Sequence, residues 1–437
     1  MDILIKVVQF FLCFTILVGL HEFGHFITAR LFKIRVDKFY IFFDPWFSIF
    51  KFKRGETEYG LGWLPLGGYC KIGGMIDESM DKEQMAQPVR EDDFRAKPAW
   101  KRLIVMLAGI FMNVVLAVMI YCGVSYVWGE RYLSNEDVKW GYNFNEAAHN
   151  LGFRDGDLIR SIDGEQVDNI SSIINSLLIT ETDRHVMVNR NGQDEELVLT
   201  LDNLIEMRRE KGYENFLTLR HPFIIDSIAS TGASSLQKGD EVVAINTLKG
   251  ADYPTYLVYM KKNAGQTVQV EVKRNDQNLT LPIQLSQDGK MGVFVANPFV
   301  WRTHEYTLLE SIPAGFRRTG QVISDYWQQL KLIVQPKTKM YEELGGFIAI
   351  GSIFSNEWNW LDFWLKTAFL SIILAVMNLL PIPGLDGGHA LFTLWEIISG
   401  RKVSDKVLEV AQYVGLFILL LLLIYANGND IYRFFIK

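Results

Sequence analysis

Apolar residues crowd towards both ends of the chain, while the middle alternates between apolar and polar positions like a water-soluble protein. Four apolar runs, residues 3–28, 103–128, 361–380 and 408–425, approach the roughly 20 residues that a helix needs to cross a 30 Å hydrocarbon layer. Each is predicted to be a transmembrane helix. Tyr126 and Trp128 close the second run, as aromatic residues do at a membrane interface. The first run has neither a basic leader nor a small-residue cleavage site, so it is expected to stay in the mature protein.

Residues 130–300 carry an internal echo. Ala148-His149-Asn150-Leu151-Gly152-Phe153-Arg154-Asp155-Gly156-Asp157 runs on through a strand to Asp163-Gly164. Ala233-Ser234-Ser235-Leu236-Gln237-Lys238-Gly239-Asp240 leads likewise through a strand to Asn246. A short helix, a Gly turn, a strand and an Asp-Gly or Asn turn are predicted in each. The pattern resembles tandem PDZ domains of the bacterial type, expected either to capture extended peptides by strand addition or to serve as spacers with an unused groove. Phe223 to Ile228 supplies a strand for the second copy, and Ile225 and Ile228 mark its expected groove.

Charge then orients the spans. Arg30, Lys33, Arg35, Lys97, Lys101 and Arg102 flank the stretch between the first two runs, and Arg401, Lys402 and Lys406 lie between the last two. The positive-inside rule puts both stretches on the cytoplasmic side and the termini and residues 129–360 outside. The net charge of −6 over 437 residues leaves no basic footprint for nucleic acid. Three cysteines, Cys13, Cys70 and Cys122, give no disulfide framework.

The chemistry sits inside the first run. His21-Glu22-Phe23-Gly24-His25 is an HExxH pattern, which puts two imidazoles on one helix face and a carboxylate where it can take a proton from water on a zinc ion. His21 falls about 27 Å along its helix, at membrane depth, where such groups are costly unless they face a cavity and a partner. A catalytic zinc needs a third protein ligand. Asp386, in Asn378-Leu379-Leu380-Pro381-Ile382-Pro383-Gly384-Leu385-Asp386-Gly387-Gly388-His389, reaches the same depth from the third run and is the expected ligand, with His389 as its rival.

HEFGH in the first run, NLLPIPGLDGGH after the third, and PDZ-like domains between them together resemble the site-2 protease family. The resemblance implies a zinc cofactor bound by His21, His25 and Asp386, Glu22 as catalytic base, and Asn378, Pro381 and Pro383 in substrate handling. The stretch Glu58-Tyr59-Gly60-Leu61-Gly62-Trp63-Leu64-Pro65-Leu66-Gly67-Gly68-Tyr69-Cys70-Lys71 resembles the family's membrane-dipping β-loop, so Gly60, Leu61, Gly62 and Trp63 are expected to bind substrate.

The expected fold is an α-helical membrane protein of four spans, with two PDZ-like α+β domains inserted between the second and third. The expected boundaries are 1–128 for the first membrane half, with the β-loop at about 56–73, then 129–218 and 219–300 for the two domains. An amphipathic helix on the outer membrane surface, or packed on the PDZ domains, and a linker fill 301–360, and 361–437 completes the membrane half. By resemblance the protein lies in the bacterial inner membrane. There it cuts transmembrane proteins, namely a pre-trimmed anti-sigma factor and remnant signal peptides, while the PDZ domains meet substrate ectodomains. The alternative is a catalytically silent scaffold that presents PDZ domains.

Overall fold

The computed structural model describes residues 2–64, 67–75, 88–209, 212, 213, 215–229 and 235–433. Pro65 and Leu66 of the expected loop, and Ala233 and Ser234 of the second echo, lie outside them. Two compact units form: Met1–Glu130 with Glu305–Lys437, and Arg131–His304.

In chain order, α1 (Asp2–Leu31) precedes β1 (Val36–Ile41), β2 (Phe43–Arg54), β3 (Thr57–Leu64), β4 (Tyr69–Ile72) and α2 (Ala99–Trp128). The second unit begins in β5 (Glu130–Tyr132) and holds β6 (Tyr142–Phe144), α3 (Glu146–Asn150), β7 (Leu158–Ile162), β8 (Glu165–Gln166), α4 (Ile173–Leu178), β9 (Arg184–Arg190), β10 (Gln193–Leu199), α5 (Leu201–Arg209) and β11 (Leu217–Leu219). Its second half runs through β12 (Phe223–Ile228), β13 (Glu241–Ile245), β14 (Leu248–Lys249), α6 (Tyr253–Lys262), β15 (Thr267–Arg274), β16 (Gln277–Gln284), β17 (Val293–Val295) and β18 (Arg302–His304). The first unit resumes with α7 (Leu308–Val334), α8 (Phe347–Ser352), α9 (Trp360–Leu379), α10 (Asp386–Ser399) and α11 (Asp405–Ile431).

Among the described residues, α1, α2, α9 and α11 are long and apolar enough to cross a membrane. α1, α2 and α11 run past the apolar stretches seen in the sequence because hydropathy marks the lipid-facing length, whereas helical hydrogen bonding continues into polar flanks. α2 is the hub: α1, α7, α9 and α10 all pack on it. Lipid is as apolar as Leu, so close approach rather than hydrophobic burial drives such packing. Gly24 of α1 shows this, since a methyl there would lie 2.5 Å from the Ala108 carbonyl oxygen of α2. Gly315 of α7 does the same against Cys122, where a methyl would sit 2.4 Å from Sγ.

α7, the expected amphipathic helix, sends Val322, Ile323, Tyr326 and Leu330 into the core of α1, α2 and α9, while Leu308, Leu309, Phe316 and Val334 stay exposed.

The expected β-loop is also larger than it reads. β1 to β4 form one sheet in the order β2-β3-β1-β4, so residues 36–54, with their run of Phe, Tyr and Trp, supply half of it. β3 lies inside: Gly60 pairs with Tyr40 and with Lys51, and Leu61 with Ile41 and with Phe50. Gly62 pairs with Ser48, and its other side is closed by the Phe42 and Phe43 carbonyl oxygens, 2.6 and 2.1 Å from where a methyl would sit. Trp63 donates its indole N–H to the Pro45 carbonyl at 2.8 Å. Gly60 and Leu61 are thus paired on both sides, and the edge strands of the sheet are β2 and β4.

In the second unit, the sheets β10-β9-β7-β8 and β16-β15-β13-β12-β17 each enclose their own core, around Ile159 and Val186 in one and Val242 and Val270 in the other. The Gly-Asp aspartates do the same work in both. Asp157 takes Nη2 of Arg190 at 2.8 Å and the Arg154 N–H at 2.9 Å, and Arg190 also reaches the Gly152 carbonyl. Asp240 takes Nε of Arg274 at 2.7 Å and the Gln237 N–H at 2.8 Å, and Arg274 reaches the Ser235 carbonyl. The Arg274 hydrogen bond holds the Asp240 carboxyl below the usual carboxylate range. Asp252 joins the halves by accepting from Asn143 at 2.7 Å and Arg220 at 3.0 Å. Ile225 is 1% exposed, and β12 is paired on one side with β13 and on the other with β17. At the expected groove, Ile225 and Ile228 pair with Val295 and Val293 of β17, and the edge strands of the sheet are β16 and β17.

Candidate metal centre

α1 turns His21 and His25 to one side, where α2 passes close. His21 Nε2 and His25 Nε2 lie 3.2 Å apart. Asp386 brings Oδ2 to 3.1 Å from the first and 3.3 Å from the second. A tetrahedral zinc with bonds of about 2.0–2.1 Å separates its ligand atoms by about 3.3–3.4 Å, so the triangle has the right edge. Asp386 Oδ2 is buried and has no hydrogen-bond partner, as a ligand atom aimed at an ion would be. Space is reserved as well. A methyl on Gly109 of α2 would lie 2.4 Å from His25 Nε2 and 2.8 Å from His21 Nε2, inside the volume an ion needs. The residues fit zinc.

The break after α9 delivers Asp386. Pro381 and Pro383 remove backbone donors, so α9 ends and α10 starts afresh at Asp386. Gly387 and Gly388 let the new helix tuck under the old, since methyls there would lie 2.4 Å from the Leu379 and Leu380 carbonyl oxygens and 2.5 Å from that of Ile382. Arg102 of α2 anchors α10 further along through Glu396 at 2.6 Å. His389 points elsewhere, into a cavity of about 390 Å³ that it lines with Arg102, Thr393 and Glu396. It is not in the metal-competent group.

Three further groups surround the triangle. Asn378 places its amide nitrogen 3.4 Å from His21 Nε2. Glu22 is partly buried beside the ligands and meets the backbone N–H of Cys70 in β4. His25 Nδ1 lies 2.8 Å from the Val105 carbonyl, which can only accept. The proton therefore sits on Nδ1, and Nε2 presents a lone pair to the centre. Pro381 and Pro383 shape the break without entering the triangle, and Gly60, Leu61, Gly62 and Trp63 stay inside their sheet. Sequence reasoning passed over Asn113, which is fully buried with its amide 3.2 Å from His21 Nδ1. Its signal is an amide alone in an apolar run.

Comparison with known proteins points to zinc metalloproteases. A family model described as Peptidase family M50 matches residues 9–422. A protein of Xylella fastidiosa (strain 9a5c) named "Putative zinc metalloprotease" is 28% identical over 448 residues, 96% of each chain. "Protease RseP" of Yersinia pestis is 28% identical over 462 residues, covering 99% of this chain and 100% of its own. "Regulator of sigma-E protease RseP" of Salmonella typhimurium (strain 14028s / SGSC 2262) is 27% identical over 467 residues, with the same coverage. The chain belongs to peptidase family M50, the site-2 protease family of zinc metalloproteases.

Proposed function

We propose that the chain is an intramembrane endopeptidase that hydrolyses peptide bonds within the membrane-spanning segments of other proteins, with His21, His25 and Asp386 as zinc ligands. The observation that carries this reading is the meeting of three ligand atoms on α1 and α10, beside helices able to cross a membrane. Zinc, when bound, supplies a Lewis acid that polarises a carbonyl and acidifies water. Glu22 takes the proton from water and hands it to the leaving amine. Asn378, beside His21, donates a hydrogen bond to the substrate backbone or to the developing oxyanion. Pro381 and Pro383 shape the turns of the 380–385 segment, where Leu385 N–H returns to the Ile382 carbonyl, as part of the substrate channel.

A helical substrate keeps its carbonyls in i to i−4 hydrogen bonds and must unwind before attack. The unwound stretch adds to the open edge of β4, which carries the Cys70 N–H next to Glu22. Gly60, Leu61, Gly62 and Trp63, on β3 of the same sheet, belong to this proposed substrate-binding loop.

The second unit is read as two PDZ-like domains that meet near residue 218, outside the membrane with both termini. Their bulk screens out untrimmed ectodomains. A relative is named for sigma-E regulation, and on that resemblance we read the substrate as a trimmed anti-sigma factor, in an envelope stress response at a bacterial inner membrane, with remnant signal peptides as a second class. Zinc content and cleavage of a transmembrane peptide, measured for the wild type and Glu22→Gln, test the reading. Both forms should hold zinc and only the wild type should cut; equal cutting by Glu22→Gln would sink it.

A further inference from the structure

His21 and His25 both need a bare Nε2 to hold zinc, so each must keep its proton on Nδ1 and find an acceptor for it. α2 faces both Nδ1 atoms. For His25 the acceptor is a backbone carbonyl, that of Val105 at 2.8 Å. For His21 the facing group is the side-chain amide of Asn113, with Nδ2 3.2 Å from Nδ1. In that sense the amide donates, which forces the His21 proton onto Nε2. There it would point at His25 Nε2, 3.2 Å away, and occupy the lone pair that an ion requires. Half a turn of the amide exchanges its oxygen and nitrogen with almost no change of shape. Asn113 Oδ1 has no hydrogen-bond partner where it stands, and the residue is wholly buried.

We propose that Asn113 is a positioning residue of the zinc site, whose side-chain oxygen accepts the Nδ1–H of His21 and so fixes the imidazole as a zinc ligand. The inference rests on the zinc reading of His21, His25 and Asp386. It gives α2 two tasks although it donates no ligand. Gly109 leaves room for the ion, and Asn113, one turn further on the same face, orients the ligand. Val105 serves His25 through its backbone, which no substitution removes, so Asn113 is the member of the pair that can be tested.

The test uses the full chain in detergent, with zinc affinity measured by chelator competition and thermal unfolding of the zinc-free form recorded beside it. Asn113→Leu keeps the size and loses the acceptor, and should raise the zinc Kd about 10- to 100-fold with an unchanged zinc-free midpoint. Asn113→Asp keeps the acceptor and should stay within about threefold of the wild type. Wild-type affinity in Asn113→Leu, equal weakening in both variants, or a zinc-free midpoint that falls along with the affinity would overturn the proposal. His21→Ala separates the two claims. If it loses zinc while Asn113→Leu does not, only the positioning role fails; if it keeps wild-type affinity, the zinc reading itself fails.

Discussion

Removing each group of the centre should leave a different mark. His21→Ala or Asp386→Ala takes away a ligand, so bound zinc and cleavage should fall together. Glu22→Gln takes away only a base, so zinc should remain at wild-type occupancy while turnover falls by at least about 10²-fold, the usual weight of a general base. Metal analysis beside a cleavage assay checks both. Gly109→Ala puts a methyl into the ion's volume, 2.4 Å from His25 Nε2. It should abolish zinc binding in a protein that still folds, and retained stoichiometric zinc would show that the ion lies elsewhere. At this scale the sequence is legible where spacing is local. His21 and His25 share a face because four residues make about one helical turn. Asn113 is legible only as an amide in an apolar run, because its partner is on another helix and nothing in the spacing names it.

Elements are legible where a single period rules and illegible where two elements must meet. The four apolar helices follow from hydropathy and length. β1 and most of β2 escape notice because Val36 to Arg54 mixes aromatic and charged residues without strict alternation, and its pairing with β3 comes only from the fold. The close passage of α11 over the break before Asp386 is likewise unreadable. A methyl on Gly415 would lie 1.4 Å from the Pro383 carbonyl oxygen. Gly415→Val should therefore push α11 off the Pro381-to-Asp386 segment, lowering both the unfolding temperature and the zinc affinity of the full chain. A variant with wild-type values of both would show that this contact is dispensable.

In the second unit, Arg190→Met strands the buried Asp157 carboxylate and should cost about 3–5 kcal/mol in denaturant unfolding. Asp240 adds a pH dependence. Its carboxyl is held below the ordinary value of about 3.9, so its contribution is present above that pH and is lost as pH falls through the lower folded value. Unfolding measured down to pH 3 should show this loss, and Arg274→Met should flatten it.

For the whole molecule, the insertion of one apolar-poor stretch between two apolar halves is the feature most plainly written in the sequence, and the structure divides at Glu130 and Glu305. What composition cannot supply is the allegiance of borderline segments. α7 reads as a surface helix because its charged face is as clear as its apolar one, yet it belongs to the helical unit. The expected topology has its own check: a cysteine at Asn278 should react with an impermeant reagent in intact cells, and one at Lys402 only after the membrane is opened. The opposite pattern would invert the orientation. The central claim, zinc-dependent hydrolysis inside a membrane span, is tested most directly by locating the scissile bond. The purified chain is placed in lipid vesicles with a single-span substrate, and the products are read by mass spectrometry. The account predicts a cut within the apolar span that a zinc chelator stops and added zinc restores. A cut confined to the hydrophilic flanks, or one indifferent to the chelator, would contradict it.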